Sequence, residues 1–361
     1  MLNSAACIYF LALFALPIII VSAKIGCKDQ NNNDVDWYVG YKMPQINDNS
    51  IPGIGEGAAF YYMDVNMDSF VPSSNDLFGN QQAIAYTLQQ YYDNKALKSD
   101  FSYVLYNDEE AVNDNDNDED EARKILYGHT KGVVFFGKSG GFWLIHSLPK
   151  FPSPDAYVFA TNAKKNGQSI LCITFEYDEL TKIGTQLYYN HPPIYASNLA
   201  PSMESENPDL AKVLSKQYKI SSPFSSTLNL QSRGGQKFIS FAKTANFSLD
   251  LYNSLVAPTL QVPLYVETWR QNSSNTIPLD CKAKYLVLDA ITMKVGKTTE
   301  FKHTKDHSKL VISTNPNKPF ICIGDINRMQ SQYKRGGGAV CIELKKLWDN
   351  YWPMFLTHNS C

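Results

Sequence analysis

The chain has 361 residues, 44% hydrophobic and 19% charged, with a net charge of −2 when histidine is neutral. That composition supplies a sizeable core and excludes overall disorder. The small net charge excludes a uniformly basic nucleic-acid binder, yet it averages over one strongly acidic tract.

Residues 1–23 carry no charged side chain, Ile8 to Val21 is apolar, and Val21-Ser22-Ala23 has the small residues of a cleavage site. The expectation is a signal peptide removed before Lys24. Pro17 and the shortness of the run argue against a membrane anchor. Cys7 leaves with this segment, and six cysteines remain: Cys27, Cys172, Cys281, Cys322, Cys341 and Cys361. An even number in an exported chain reads as three disulfides, for which about 15 pairings are open. No Cys-x-x-Cys pair suggests a zinc or redox site.

Short runs rich in Val, Ile, Phe and Tyr follow: Trp37–Tyr41, Phe101–Tyr106, Val133–Phe136, Phe142–His146, Ile170–Phe175, Tyr285–Leu288 and Phe320–Ile323. They predict strands. Helices are expected over Asp76–Tyr92, with Asp76 as cap, over Asn207–Gln217, and over Asn246–Val256 and Leu344–Trp352. The mixture predicts an α/β (mixed α+β) fold. Gly53-Ile-Gly55-Glu-Gly57 lacks the rest of a nucleotide-binding fingerprint and reads as a connection. Asp108 to Glu121 holds nine acidic side chains and reads as a solvated loop without EF-hand spacing. Without it, 33 basic face 26 acidic side chains, so the remainder can attract a polyanion, more strongly in acid where histidine charges.

His129-Thr130-Lys131 leads into an apolar run, a turn from Gly137 to Gly141, and a second apolar run from Phe142 to His146. His307-Ser308-Lys309 leads into Leu310–Ile312, a turn from Ser313 to Pro319, and Phe320 to Ile323. In both copies Phe lies 13 positions after the His and a polar residue, Ser147 or Asp325, lies 18 after it. Two strand–turn–strand units 178 residues apart suggest two related halves, with a boundary in the Pro-rich stretch near 190–225. Gly137-Lys-Ser-Gly-Gly141 matches a nucleophile-elbow pattern, but a strand follows where a helix is needed.

On a strand, residues i and i+2 share a face, so each His-x-Lys would present an imidazole beside an ammonium. Two such couples suit a phosphodiester. The lysines neutralise phosphate oxygens, one His attacks phosphorus, and the other protonates the leaving oxygen. No metal or cofactor is required. His303-Thr-Lys305 is a third copy without a following apolar strand and reads as a rim element. His303 and His307 would share a face for zinc only if that segment were helical. Asn327 and Arg335 are candidate substrate-binding residues; Arg335 precedes three glycines whose backbone could approach a ligand closely. Asn246 and Asn272 begin glycosylation sequons.

Taken together, His129-Thr-Lys-Gly, Gly140-Gly-Phe-Trp-Leu-Ile-His-Ser147, Asp306-His-Ser-Lys309, Gly324-Asp-Ile-Asn-Arg328 and Arg335-Gly-Gly-Gly338 resemble the deoxyribonuclease II family. Val35-Asp-Trp-Tyr38 and Tyr41-Lys-Met-Pro44 are similar to that family's mature N-terminus. The family belongs to the phospholipase D-like superfamily. The resemblance implies two phospholipase D-like halves, here 24–205 and 206–361, each a sheet flanked by helices and sharing one active site. It implies a secreted or lysosomal acid endonuclease that needs no metal, leaves 3′-phosphate ends, and degrades DNA of apoptotic, engulfed or ingested cells. It also implies the pairs Cys27–Cys172, Cys281–Cys361 and Cys322–Cys341. The superfamily's Asp after the Lys segment is absent; Phe136 and Thr314 stand there. Rival readings are a phospholipase with the same site, a non-catalytic DNA-binding protein, and a metal-dependent nuclease.

Overall fold

A computed structural model describes residues 24–109, 127–270 and 275–361. The expected signal peptide, most of the acidic tract and Asn272 lie outside the described residues.

Runs of β-branched and aromatic residues form two large sheets. The first contains β1 (Trp37–Lys42), β2 (Phe60–Asp64), β3 (Phe101–Asn107), β4 (Lys131–Gly137), β5 (Gly140–His146), β6 (Gln168–Phe175) and β7 (Ile194–Asn198). Across the sheet they run β7-β3-β4-β5-β6-β1-β2, with a short edge pair at Val71–Pro72. The second contains β8 (Ser225–Gln231), β9 (Lys237–Lys243), β10 (Leu264–Thr268), β11 (Val287–Met293), β12 (Lys309–Ser313), β13 (Phe320–Gly324) and β14 (Gly337–Glu343). Their order is β8-β9-β14-β13-β12-β10-β11. The stretch β3-β4-β5-β6-β1 of one sheet and β10-β12-β13-β14-β9 of the other are antiparallel throughout and follow the same chain order within each sheet.

Alternation along the strands explains the layers. Val134 and Phe136 of β4 and Trp143 and Ile145 of β5 share one buried cluster with Leu310 and Ile312 of β12 and Ile321 and Ile323 of β13. The sheets therefore stack face to face. The alternate residues Val133, Phe135, Phe142 and Leu144 pack outward with α1 (Ala83–Asn94). Val311, Cys322 and Cys341 pack outward with Leu251, Tyr252 and Val256. Further helices are α2 (Glu179–Asn190), α3 (Pro208–Leu214) and α4 (Lys345–Tyr351).

Three expectations are corrected. α1 starts at Ala83, because the Gln82 side chain accepts from the Ile84 and Ala85 amides. Asp76 instead accepts from Phe78 and Gly79 and closes a turn ahead of the helix. The segment expected as one helix from Asn246 to Val256 is a 3₁₀ turn at Ala245–Phe247 and a π-helical turn at Tyr252–Val256. The run expected at Tyr285–Leu288 pairs only from Val287 onward. The disulfides are Cys27–Cys172, Cys281–Cys361 and Cys322–Cys341, the set the resemblance implies. Cys322 and Cys341 are direct cross-strand partners on β13 and β14. Asn246 is exposed.

Candidate active site

The start of β4 and the start of β12 meet at one cleft of about 360 Å³. His129, Lys131, His307 and Lys309 all line it, together with Asn327 and Arg335. The residues that the two His-x-Lys motifs supply therefore lie in one cleft, but their local geometry differs from the expectation. The strands begin at Lys131 and Lys309, and each His lies ahead of its strand. Strand alternation does not place the imidazoles.

Reciprocal contacts fix the backbone of each motif. His129 N–H donates to Gly336 O, just before β14 (2.9 Å), and His307 N–H donates to Gly167 O, just before β6 (2.8 Å). Lys131 N–H donates to Asp325 Oδ1 (3.3 Å), and Lys309 N–H donates to Ser169 Oγ (3.2 Å). Each His-x-Lys is thus pinned by backbone or side chain from the opposite sheet. The polar position 18 after each His has a role here. Asp325 reaches Lys131, and Ser147 Oγ accepts from Ser169 N–H (2.9 Å).

The rings are held differently. His129 Nδ1–H donates to Asp325 O at 2.6 Å. In the neutral ring this leaves the Nε2 lone pair free. Asn327 lies 3.5 Å from that atom. The His307 ring packs on Trp269 with centroids 4.1 Å apart, and its Nε2 is buried without a hydrogen-bond partner. Asp306, beside it, accepts from Tyr41 Oη (2.5 Å) and from Ser308 N–H (2.8 Å).

Burial dominates the electrostatics. It pushes His307 far below the usual imidazole range, with Lys309, Lys131 and His129 adding to the effect. His129 is also held well below that range, first by burial and then by Arg335 and Lys309. Burial lowers Lys309 to about 8, and it lowers Lys131 strongly, with Lys309 and Arg335 contributing. Buried Asp325 is raised to about 7. Burial in the cleft therefore disfavours positive charge, a preference that an anion beside these groups would oppose.

The remaining candidates fall as follows. His303–Lys305 forms a 3₁₀ turn outside the cleft, and extended Asp306 separates it from His307, so the two His share no helical face. Among the described residues, no three His, Cys, Asp or Glu side chains form a metal-binding group. Arg335 lines the cleft while donating to Tyr127 O (3.2 Å) and Gly128 O (2.9 Å). The glycines after it approach protein backbone instead of open space: a Cβ on Gly338 would overlap Phe241 O. Asp108 contradicts the solvated-loop reading. Its side chain is 6% exposed, pairs with Lys131, and lies 3.4 Å from Arg335 and 3.6 Å from His129 Nε2. Trp269 was also missed, since neither residue belongs to a local motif.

Comparison with known proteins completes the picture. The family profile "Deoxyribonuclease II" matches residues 26–361. The chain is 46% identical to Deoxyribonuclease-2 of Caenorhabditis elegans, covering 100% of this chain and 99% of that protein. It is 38% identical to Cell death-related nuclease 6 of the same organism, covering 90% and 86%. It is 32% identical to Deoxyribonuclease-2-alpha of Mus musculus, covering 97% of each.

Proposed function

We propose a mechanism for this chain, which belongs to the deoxyribonuclease II family and is a deoxyribonuclease: both His-x-Lys elements act on one DNA phosphodiester, without a metal, in acid. The observation that carries it is the convergence of His129, Lys131, His307 and Lys309 on one cleft. On this reading two related halves, 24–205 and 206–361, share the site.

His129 is assigned the attack because its Nδ1–H is committed to Asp325 O and Nε2 is left for phosphorus. Nε2 forms an N–P bond as the P–O5′ bond breaks. Protonated His307 delivers its proton to O5′, giving a 5′-hydroxyl. Neutral His307 then takes a proton from water, whose oxygen attacks phosphorus and breaks the N–P bond. The products are a 3′-phosphate and the starting enzyme. Lys131 and Lys309 bind the non-bridging oxygens and stabilise the charge that develops there. Asn327 and Arg335 help hold the substrate. Acid favours the reaction because it loads His307 with the required proton and keeps both lysines charged.

The three disulfides fit an oxidising compartment, and the role we propose is degradation of DNA from dying, engulfed or ingested cells in a lysosome or outside the cell. No described helix is long and apolar enough to cross a membrane. The test is cleavage of plasmid DNA in EDTA across pH, with end-group analysis. Cutting in acid that leaves 3′-phosphates is expected. Cutting abolished by chelator, or leaving 5′-phosphates, would contradict the mechanism.

A further inference from the structure

A strand paired with each His-x-Lys strand in its sheet ends at the cleft, and the next residue enters it. After β10 that residue is Trp269, which packs on His307. After β3 it is Asp108, which meets Lys131, Arg335 and His129. Thr268 pairs with Lys309 as Asn107 pairs with Lys131, so Trp269 and Asp108 hold corresponding places. One of these places carries an indole and the other a carboxylate.

Asp108 is braced into its position. Asn107 Nδ2 donates to Leu148 O (3.0 Å) and Phe151 O (2.9 Å), and Asn107 Oδ1 accepts from Glu109 N–H (2.9 Å). The carboxylate therefore belongs to the end of β3. Its partners are the groups that the reaction needs for phosphate. Lys131 and Arg335 are the cations around it, and His129 Nε2 is the proposed attacking atom. Glu109 adds a second carboxylate 3.5 Å from Lys131. An aspartate and a phosphodiester are both small oxyanions that seek the same charge-assisted bonds. They cannot both occupy them.

We propose that Asp108 is an internal competitor for the phosphate subsite, which a DNA phosphate must displace from Lys131 and Arg335 before His129 can reach phosphorus. Asp108 thereby weakens substrate and product binding and sets KM. It also discriminates against small anions, because only a polyanion with further contacts in the cleft compensates for the displacement. This inference rests on the phosphate-binding roles proposed above.

The experiment compares wild type, Asp108→Asn and Asp108→Ser in EDTA at acid pH. It measures KM for DNA, its salt dependence, and inhibition by inorganic phosphate. Removing the carboxylate should lower both KM and the phosphate inhibition constant by about tenfold. It should steepen the slope of log KM against log salt by about one, because one more cation becomes available to DNA. KM and inhibition constants equal to or above wild type, in variants that melt cooperatively, would overturn the proposal. So would loss of cooperative melting in both variants, which would make Asp108 a brace of the fold. Wild type that needs a divalent metal would remove the underlying mechanism itself, whatever the variants do.

Discussion

At the scale of single residues, the two histidines differ in what holds them. His129 is fixed by a hydrogen bond to Asp325 O, whereas His307 is fixed by packing against Trp269. Burial depresses His307 first, and neighbouring lysines add to it. In the free enzyme its protonated form is therefore scarce. A phosphodiester bound as proposed would bring negative charge beside it and raise its pKa. The sign of the pH dependence follows. With His307 as the proposed general acid, activity should fall as pH rises, because that group loses its proton. The midpoint of that fall should lie higher in kcat, which reports the complex, than in kcat/KM, which reports the free enzyme. Steady-state profiles with a defined oligonucleotide check this. Coincident midpoints would count against His307 as the acid whose proton the substrate stabilises.

At the scale of elements, each His-x-Lys strand is set by its neighbours as much as by its own sequence. Gly132 follows Lys131 and pairs with Tyr106 and Ile145 on the flanking strands. A Cβ there would overlap Tyr106 Oη and lie 2.7 Å from Leu144 O. Tyr106 cannot withdraw, because it is fully buried and accepts from Trp143 Nε1 at 2.9 Å. Gly132→Ala should cost about 2–3 kcal/mol of stability, measured by urea unfolding, and should shift Lys131 in the cleft. An unchanged midpoint would show that the strand accommodates a side chain there.

Much of this level was legible in the sequence. The His-to-Phe spacing marked both strand–turn–strand units, and the strand after Gly141 excluded a nucleophile elbow. Contacts between distant segments were not legible. Nothing near His129 indicates that Gly336 accepts its amide proton, and nothing near His307 points to Gly167. Asp108 was misread because a run of acidic residues resembles solvated chain, whereas its first member directly follows a strand that ends at a cationic cleft. The cap of α1 was misplaced for a similar reason: Asp76 has the right side chain, yet its acceptor is used by a turn well ahead of the true cap, Gln82.

At the scale of the whole molecule, two face-to-face sheets present the starts of β4 and β12 to each other, and a backbone carbonyl from each side accepts the main-chain N–H of the other's histidine. On the proposed mechanism the two His-x-Lys couples act as one catalytic unit, and groups that act as a unit are strongly non-additive when removed. The direct measurement is kcat at acid pH in EDTA for His129→Ala, His307→Ala and the double variant, each verified to melt cooperatively. Each single substitution should lower kcat by at least ~10³-fold, and the double variant should be no slower than the slower single one. Substantial activity in either single variant, or losses that multiply in the double, would contradict a shared phosphate.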